Sequence, residues 1–237
     1  MSDHAKLSPS AAERWMVCPG SVVLSEGMPN KSSKFADEGT LAHEMAEKLL
    51  AQEAFTLDTP QGMLDHVQVY VDHVRSLGGV LHIEQRVAVN KQVYGTADAV
   101  VWQADTRALY VADLKFGAGV PVEVHANLQL KIYALATLLT FGYPANTVTA
   151  TIVQPRCPHS DGPVRSATYE VVDLLDFHAD LLDAVARVEV AKGAKNLDNL
   201  LTPSEKGCRW CLAAPKCPKL RDKAQTLAKQ VFAPGLP

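Results

Sequence analysis

An α/β fold is predicted for this chain of 237 residues by three observations. Residues 35–52 carry apolar side chains at helical spacing. Three strand-like runs, about 81–89, 94–103 and 108–116, then follow one another through connections short enough for hairpins. A second helical run, 124–141, leads into the β-branched segment 147–154. In order these give helix, three antiparallel strands, helix, strand, with helical additions on either side.

Composition fits an ordinary globular protein, with 47% hydrophobic and 21% charged residues. The length suits one domain with a full core and appendages. No apolar run approaches the roughly 18–20 residues of a membrane span. The N-terminus lacks a basic segment followed by an apolar one, so no secretory signal is read and a cytoplasmic setting is expected. A net charge of −3 lacks the overall basic signature of a nonspecific nucleic-acid binder, although a local basic groove is compatible with it.

The first helix starts at Ser8 or Ser10 and ends at Pro19-Gly20, delivering Cys18 near its end. A polar loop covers 26–34. In helix 35–52, Leu41, Met45 and Leu49 form one stripe with Ala42, Ala46 and Leu50 beside it, and His43 lies next to that stripe. Glu38, Glu44 and Glu47 read as helix-surface charges, with Glu47 one turn from His43 and able to hold it. After a polar turn a helix is expected over about 60–77, ended by Gly78-Gly79. The three strands are joined by Asn90-Lys91-Gln92 and Ala104-Asp105-Thr106-Arg107. Glu84 reads as a strand-face charge and Asp105 as a turn residue. A strand at 166–172 and a helix at 173–191 follow 147–154. A linker then leads to the cysteine-rich segment, and a basic helix over 219–229 presents a solvated face or a DNA-facing arm. No phosphate-binding loop of the G-x4-G-K-[ST] type occurs, so no ATP motor is expected.

The chemistry concentrates between Tyr94 and Tyr133. Asp98 follows Gly95-Thr96-Ala97, and Asp113-Leu114-Lys115 ends the third strand. Strand residues i and i+2 share a face, so Asp113 and Lys115 address one site while Leu114 points away. Carboxylates are hard ligands for Mg2+ or Mn2+, and a lysine beside such an ion can orient water or offset charge on phosphorus. Gln129 and Tyr133, four apart, share a helix face.

Of five cysteines, Cys208, Cys211 and Cys217 form C-x2-C-x5-C, and Cys18 is the partner that would complete four. In a reduced compartment such a group points to metal binding. Spacing alone admits four thiolates on zinc or on an iron–sulfur cluster. Cys157, without a cysteine neighbour, reads as a structural thiol.

Gly95-x-x-Asp98, Asp113-x-Lys115 and Gln129-x-x-x-Tyr133 together resemble the motifs of the PD-(D/E)XK nuclease superfamily. They look like the branch holding the AddAB-type nuclease domain and the CRISPR-adaptation nucleases. The element order is that of its restriction-endonuclease-like core. The resemblance implies a metal-dependent DNA exonuclease: Asp98, Asp113, the Leu114 carbonyl and His43 around Mg2+ or Mn2+, Lys115 catalytic, and Gln129 and Tyr133 supporting the site and touching the DNA backbone. His43 enters through Glu38-Gly-Thr-x-x-His43, similar to the branch's first motif. The early cysteine and late C-x2-C-x5-C match the branch's 4Fe–4S ligands, which favours iron–sulfur over zinc. Division into a nuclease core at 1–192 and a linker, cluster module and basic helix at 193–237 is then expected. The opening resembles standalone nucleases of phages and prophages. This implies a bacterial host cytoplasm, DNA single strands or ends as substrate, and a single-strand annealing protein or recombinase as partner. Two rival readings are a non-catalytic nucleic-acid-binding or scaffold protein with a zinc-bound four-cysteine cap, and an enzyme of small phosphoesters.

Overall fold

The computed structural model describes residues 7–29, 34–54, 60 and 62–232. After a 3-10 turn at Pro9–Ala11, its elements are α1 (Ala12–Trp15), α2 (Gly20–Leu24), α3 (Lys34–Ala51), α4 (Met63–Leu77), β1 (Val80–Ala88), β2 (Tyr94–Gln103), β3 (Ala108–Leu114), α5 (Leu128–Phe141), β4 (Thr147–Val153), β5 (Val164–Glu170), α6 (Val171–Gly193), α7 (Glu205–Arg209) and α8 (Pro218–Val231). The expected loop 26–34 and the turn after residue 52 fall partly outside the described residues. No described helix is long and apolar enough to cross a membrane.

The protein is a mixed α/β structure with a five-stranded sheet in sequential order β1-β2-β3-β4-β5. The first three strands are antiparallel hairpin partners. β3 and β4 run parallel, and α5 supplies the crossover that a parallel pair requires. β5 returns antiparallel to β4. Six of the seven residues of β3 are buried, as befits a central strand covered on both faces. Ala112, Leu114 and Phe116 join a core with Ala42, Met45 and Leu50 of α3 and Val67, Tyr70, Val71 and Val74 of α4. α5 is apolar nearly all round, with Leu130, Ile132, Leu135 and Leu138 buried.

Several boundaries differ from the sequence reading, each for a local reason. α5 starts at Leu128, four residues later than 124. Ala126 takes a φ of 51°, and Asn127 caps the helix by accepting the Leu130 N–H. α4 starts at Met63, after Gly62 at φ 81°. β3 stops at Leu114 and β5 occupies 164–170, because β5 ends where its pairing with β4 ends. Pro19-Gly20 does not end a helix; it begins α2, with Pro19 as N-cap.

The chain divides into two compact units, Met1–Pro9 with Ser32–His178, and Ser10–Lys31 with Ala179–Pro237. The sheet and α3–α5 belong to the first. The second gathers the N-terminal helices with the cysteine segment, a grouping different from a cut at residue 192. Within it Arg187 donates to the Met16 carbonyl at 2.9 Å, and Trp15, Leu181, Ala184, Val188 and Leu201 are buried. A Cβ on Gly20 would stand 2.9 Å from the Leu200 carbonyl oxygen, so this close backbone approach requires glycine. α8 has no buried residue.

Candidate active site

The register of two hairpins builds the site. β1 and β2 pair Ile83 with Ala99 and Gln85 with Ala97, so Glu84 stands opposite Asp98. β2 and β3 pair up to Ala99 with Ala112, and the next step sets Asp98 opposite Asp113. Three carboxylates therefore occupy one line across three strands. Asp98 is interior to β2, at the point where pairing with β3 stops. There its side chain replaces a backbone partner: Oδ2 accepts the Leu114 N–H at 2.8 Å. Its Oδ1 lies 3.4 Å from Nδ1 of His43 on α3.

Asp113 is 8% exposed and its Oδ2 lies 2.7 Å from Lys115 Nζ, the same-face pairing that a strand imposes on i and i+2. Leu114 between them goes to the helical core. Gln129 Nε2 donates to Asp113 Oδ1 at 3.2 Å, so α5 orients the carboxylate that Lys115 neutralises. Tyr133 closes over β2. A Cβ on Gly95 would meet its hydroxyl at 2.8 Å, which explains the glycine three residues before Asp98.

Electrostatics follow from crowding carboxylates in a partly dry place. Burial pushes Asp113 up, Asp98 adds to this and Lys115 opposes it. Burial works against the Lys115 cation, yet the Asp113 charge outweighs it and holds the lysine above its ordinary value. Burial likewise disfavours charged His43, but its hydrogen bond to Asp98 and the charges of Asp98 and Asp113 raise it overall. Glu84 is pushed up to about 7, first by burial and then by Asp98. Burial and the carboxylates raise the Tyr133 phenol, which keeps it a proton donor.

His43, Glu84 and Asp98 each bring one ligand atom into a set with mutual distances under 4.8 Å, among the described residues. One imidazole nitrogen and two carboxylate oxygens suit a divalent ion such as Mn2+. Glu84, read from sequence as a strand-face charge, is thus a site residue. The signal that finds it is the hairpin register. Pairing of Val89 with Val93 around the Asn90–Gln92 loop sets residue 84 opposite 98. Of the other charges read onto the α3 surface, Glu38 is ion-paired with Arg156 at 2.8 Å, and Glu44 and Glu47 are exposed; the ion pair of His43 is with Asp98.

A family model described as "Protein of unknown function (DUF2800)" matches residues 4–235. The chain belongs to that family. Among solved structures, this DUF2800 protein is similar to a putative exonuclease from Eubacterium rectale, at 11% identity over 91% of this chain and 87% of that one, TM-score 0.47. It is also similar to an alkaline exonuclease from Laribacter hongkongensis, at 12% identity over 77% and 94% of the two chains, TM-score 0.31. A phage related exonuclease from Haemophilus somnus 129PT gives 12% identity over 75% and 96%, TM-score 0.34.

The second unit of this DUF2800 member carries the other candidate site. Cys18, Cys208, Cys211 and Cys217 line one cavity, with Arg14 and Leu201 among its walls. All four are free thiols. Cys18 follows α1 and its Sγ accepts the Thr202 N–H at 3.2 Å. Burial pushes the Cys18 thiol up, and Cys211 and Cys217 add to the rise, so the sulfurs are near enough to act on one another. α7, capped by Ser204, delivers Cys208, and Cys217 leads into α8. Four convergent thiols from both ends of the chain match the donor set of a soft metal centre. Cys157 belongs to the first unit and is buried.

Proposed function

We propose that this protein is a metal-dependent deoxyribonuclease, an exonuclease of the PD-(D/E)XK type that hydrolyses phosphodiester bonds. The observation that carries the reading is the Asp113–Lys115 ion pair at 2.7 Å, set beside Asp98, whose other neighbours are His43 and the Leu114 N–H. Asp98, Asp113, His43 and the Leu114 carbonyl would hold Mg2+ or Mn2+. Such an ion polarises the scissile phosphate and lowers the pKa of water near it. Lys115, kept cationic by Asp113, orients the attacking water and offsets negative charge gathering on the phosphate. Water's oxygen bonds to phosphorus, the bond to the leaving oxygen breaks, and a phosphomonoester and a hydroxyl result. Gln129 fixes Asp113 through its Oδ1, leaving Oδ2 to the lysine. Tyr133, whose phenol burial and the nearby carboxylates hold above its ordinary value, donates to a backbone phosphate oxygen.

In the same reading the four cysteines hold a 4Fe–4S cluster whose task is structural. Support comes from their convergence on one cavity. Zinc is the alternative that metal analysis of anaerobically purified protein separates. A role in phage recombination or DNA processing beside an annealing protein or recombinase completes the proposal.

The test is cleavage of end-labelled single- and double-stranded DNA with Mn2+, Mg2+ or chelator, beside Lys115→Ala. Metal-dependent shortening that disappears in the variant is expected. DNA binding without cleavage, by protein with a full complement of iron, would overturn the enzyme in favour of a binding module.

A further inference from the structure

We infer that Glu84 is a metal-ligating residue, a further ligand beside His43 and Asp98 to the divalent ion of this site. The inference rests on the nuclease reading for the ion's chemistry and on geometry for its place. Ligand atoms of the three residues lie within 4.8 Å of one another, compact enough for one ion to touch all three. They arrive from three different elements, α3, β1 and β2, so the grouping is tertiary and not an accident of neighbouring positions.

Backbone geometry at Glu84 agrees with the assignment. Glu84 sits in mid-strand at φ 47°, a left-handed value rare for a non-glycine residue. Pairing continues in the same register on both sides, through Ile83 with Ala99 and Gln85 with Ala97, so one residue alone is turned out of the ladder. Gln85 braces the turn by donating from Nε2 to the Ile83 carbonyl at 2.9 Å. A backbone held this way is strained and persists where the surroundings demand it. Here it aims a carboxylate at Asp98, a like charge that repels it, with His43 as the basic group of the set.

The charge arrangement points to a cation. Lys115 is engaged by Asp113 at 2.7 Å, which leaves Glu84 and Asp98 to share His43. Asp98 Oδ2 is occupied by the Leu114 N–H, while Oδ1 is its atom nearer His43. Two carboxylate oxygens and an imidazole nitrogen remain directed at one place.

Mn2+ binding tests this without recourse to activity. Full-length protein, freed of divalent ions, is titrated with Mn2+ and free ion is read by its electron paramagnetic signal, for wild type, Glu84→Gln and Glu84→Gly. At least a tenfold loss of affinity is expected in both variants, the size that lost support at a metal site commonly causes. Glycine adopts the φ of residue 84 without strain, so this variant separates loss of the carboxylate from backbone strain. Wild-type affinity in Glu84→Gln and Glu84→Gly, or a wild type that binds no Mn2+, overturns the inference. DNA cleavage on the same preparations separates the two readings. Lost Mn2+ affinity in the variants with a wild type that cleaves nothing keeps the ligand and removes the nuclease. Cleavage by wild type with Mn2+ affinity unchanged in the variants removes the ligand and keeps the nuclease.

Discussion

The carboxylate site on the sheet and the thiol site of the second unit both assemble donors from distant positions, but by different means. On the sheet each donor is fixed by partners that exist without any ion: Asp98 by the Leu114 N–H, Asp113 by Gln129 and Lys115. Around them lies a core in which β3 is nearly all buried. The cysteines sit instead on short helices and turns, α7 having one buried residue and α8 none. Their described polar support is slight, chiefly the Thr202 N–H on Cys18. A pleated sheet preorganises hard ligands through register. In the proposed reading, the cysteine segment would draw order from a bound centre, as small metal-bound modules do.

The contrast predicts which changes spare the fold. Asp113→Asn should cut the cleavage rate by about a thousandfold or more while melting and iron content stay near wild type, since the sheet core is untouched. Collapse of both together would show that the site and the fold are one unit of stability.

Cys211→Ser should do the reverse. Loss of the centre should destabilise the second unit by about 2–5 kcal/mol, by analogy with a lost cross-link closing a long loop. Hydrogen exchange should rise in Ser10–Lys31 and Ala179–Pro237 together, and not in the sheet. Unchanged protection in α1 and α2 would break the contrast.

Gly95→Ala sharpens it from the sheet side. The new Cβ meets the Tyr133 hydroxyl at 2.8 Å, so the ring must shift. A stability loss of about 1–3 kcal/mol is expected, read by denaturant midpoint. Cleavage should fall with it, and wild-type activity would show that Tyr133 has no part in the site.

The smallest effect belongs to Cys157→Ala. Cys157 is buried in the first unit, and its removal should cost about 1 kcal/mol through a small cavity. Iron content should be unchanged; a drop would make Cys157 a fifth member of the thiol set.

Much of this was legible in the sequence because it is local. The apolar runs 94–103 and 108–116 read as strands, and the i, i+2 rule puts Asp113 and Lys115 on one face. Even the line of carboxylates was implicit, since the lengths of the two hairpin loops fix residue 84 against 98 and 98 against 113. It went unread because Glu84, taken singly, looks like any charge on a half-exposed strand. The opening of α5 was misplaced for a comparable reason. Residues 124–127 keep the helical pattern of apolar positions, whereas the left-handed Ala126 and the Asn127 cap decide the start.

The sequence by itself determined the order and kind of the elements, the hairpin registers, the shared face of Asp113 and Lys115, and the grouping of three cysteines. These depend on period, turn length and spacing along the chain. Tertiary structure alone decided that Glu84 is turned out of its ladder, that the Leu114 N–H bonds to Asp98, that Tyr133 rests on Gly95, and that Cys18 reaches the cavity of Cys208, Cys211 and Cys217. Each of those is a contest between groups far apart in sequence, over one hydrogen-bond partner, one volume or one charge. Its outcome is set by packing, which no local pattern encodes.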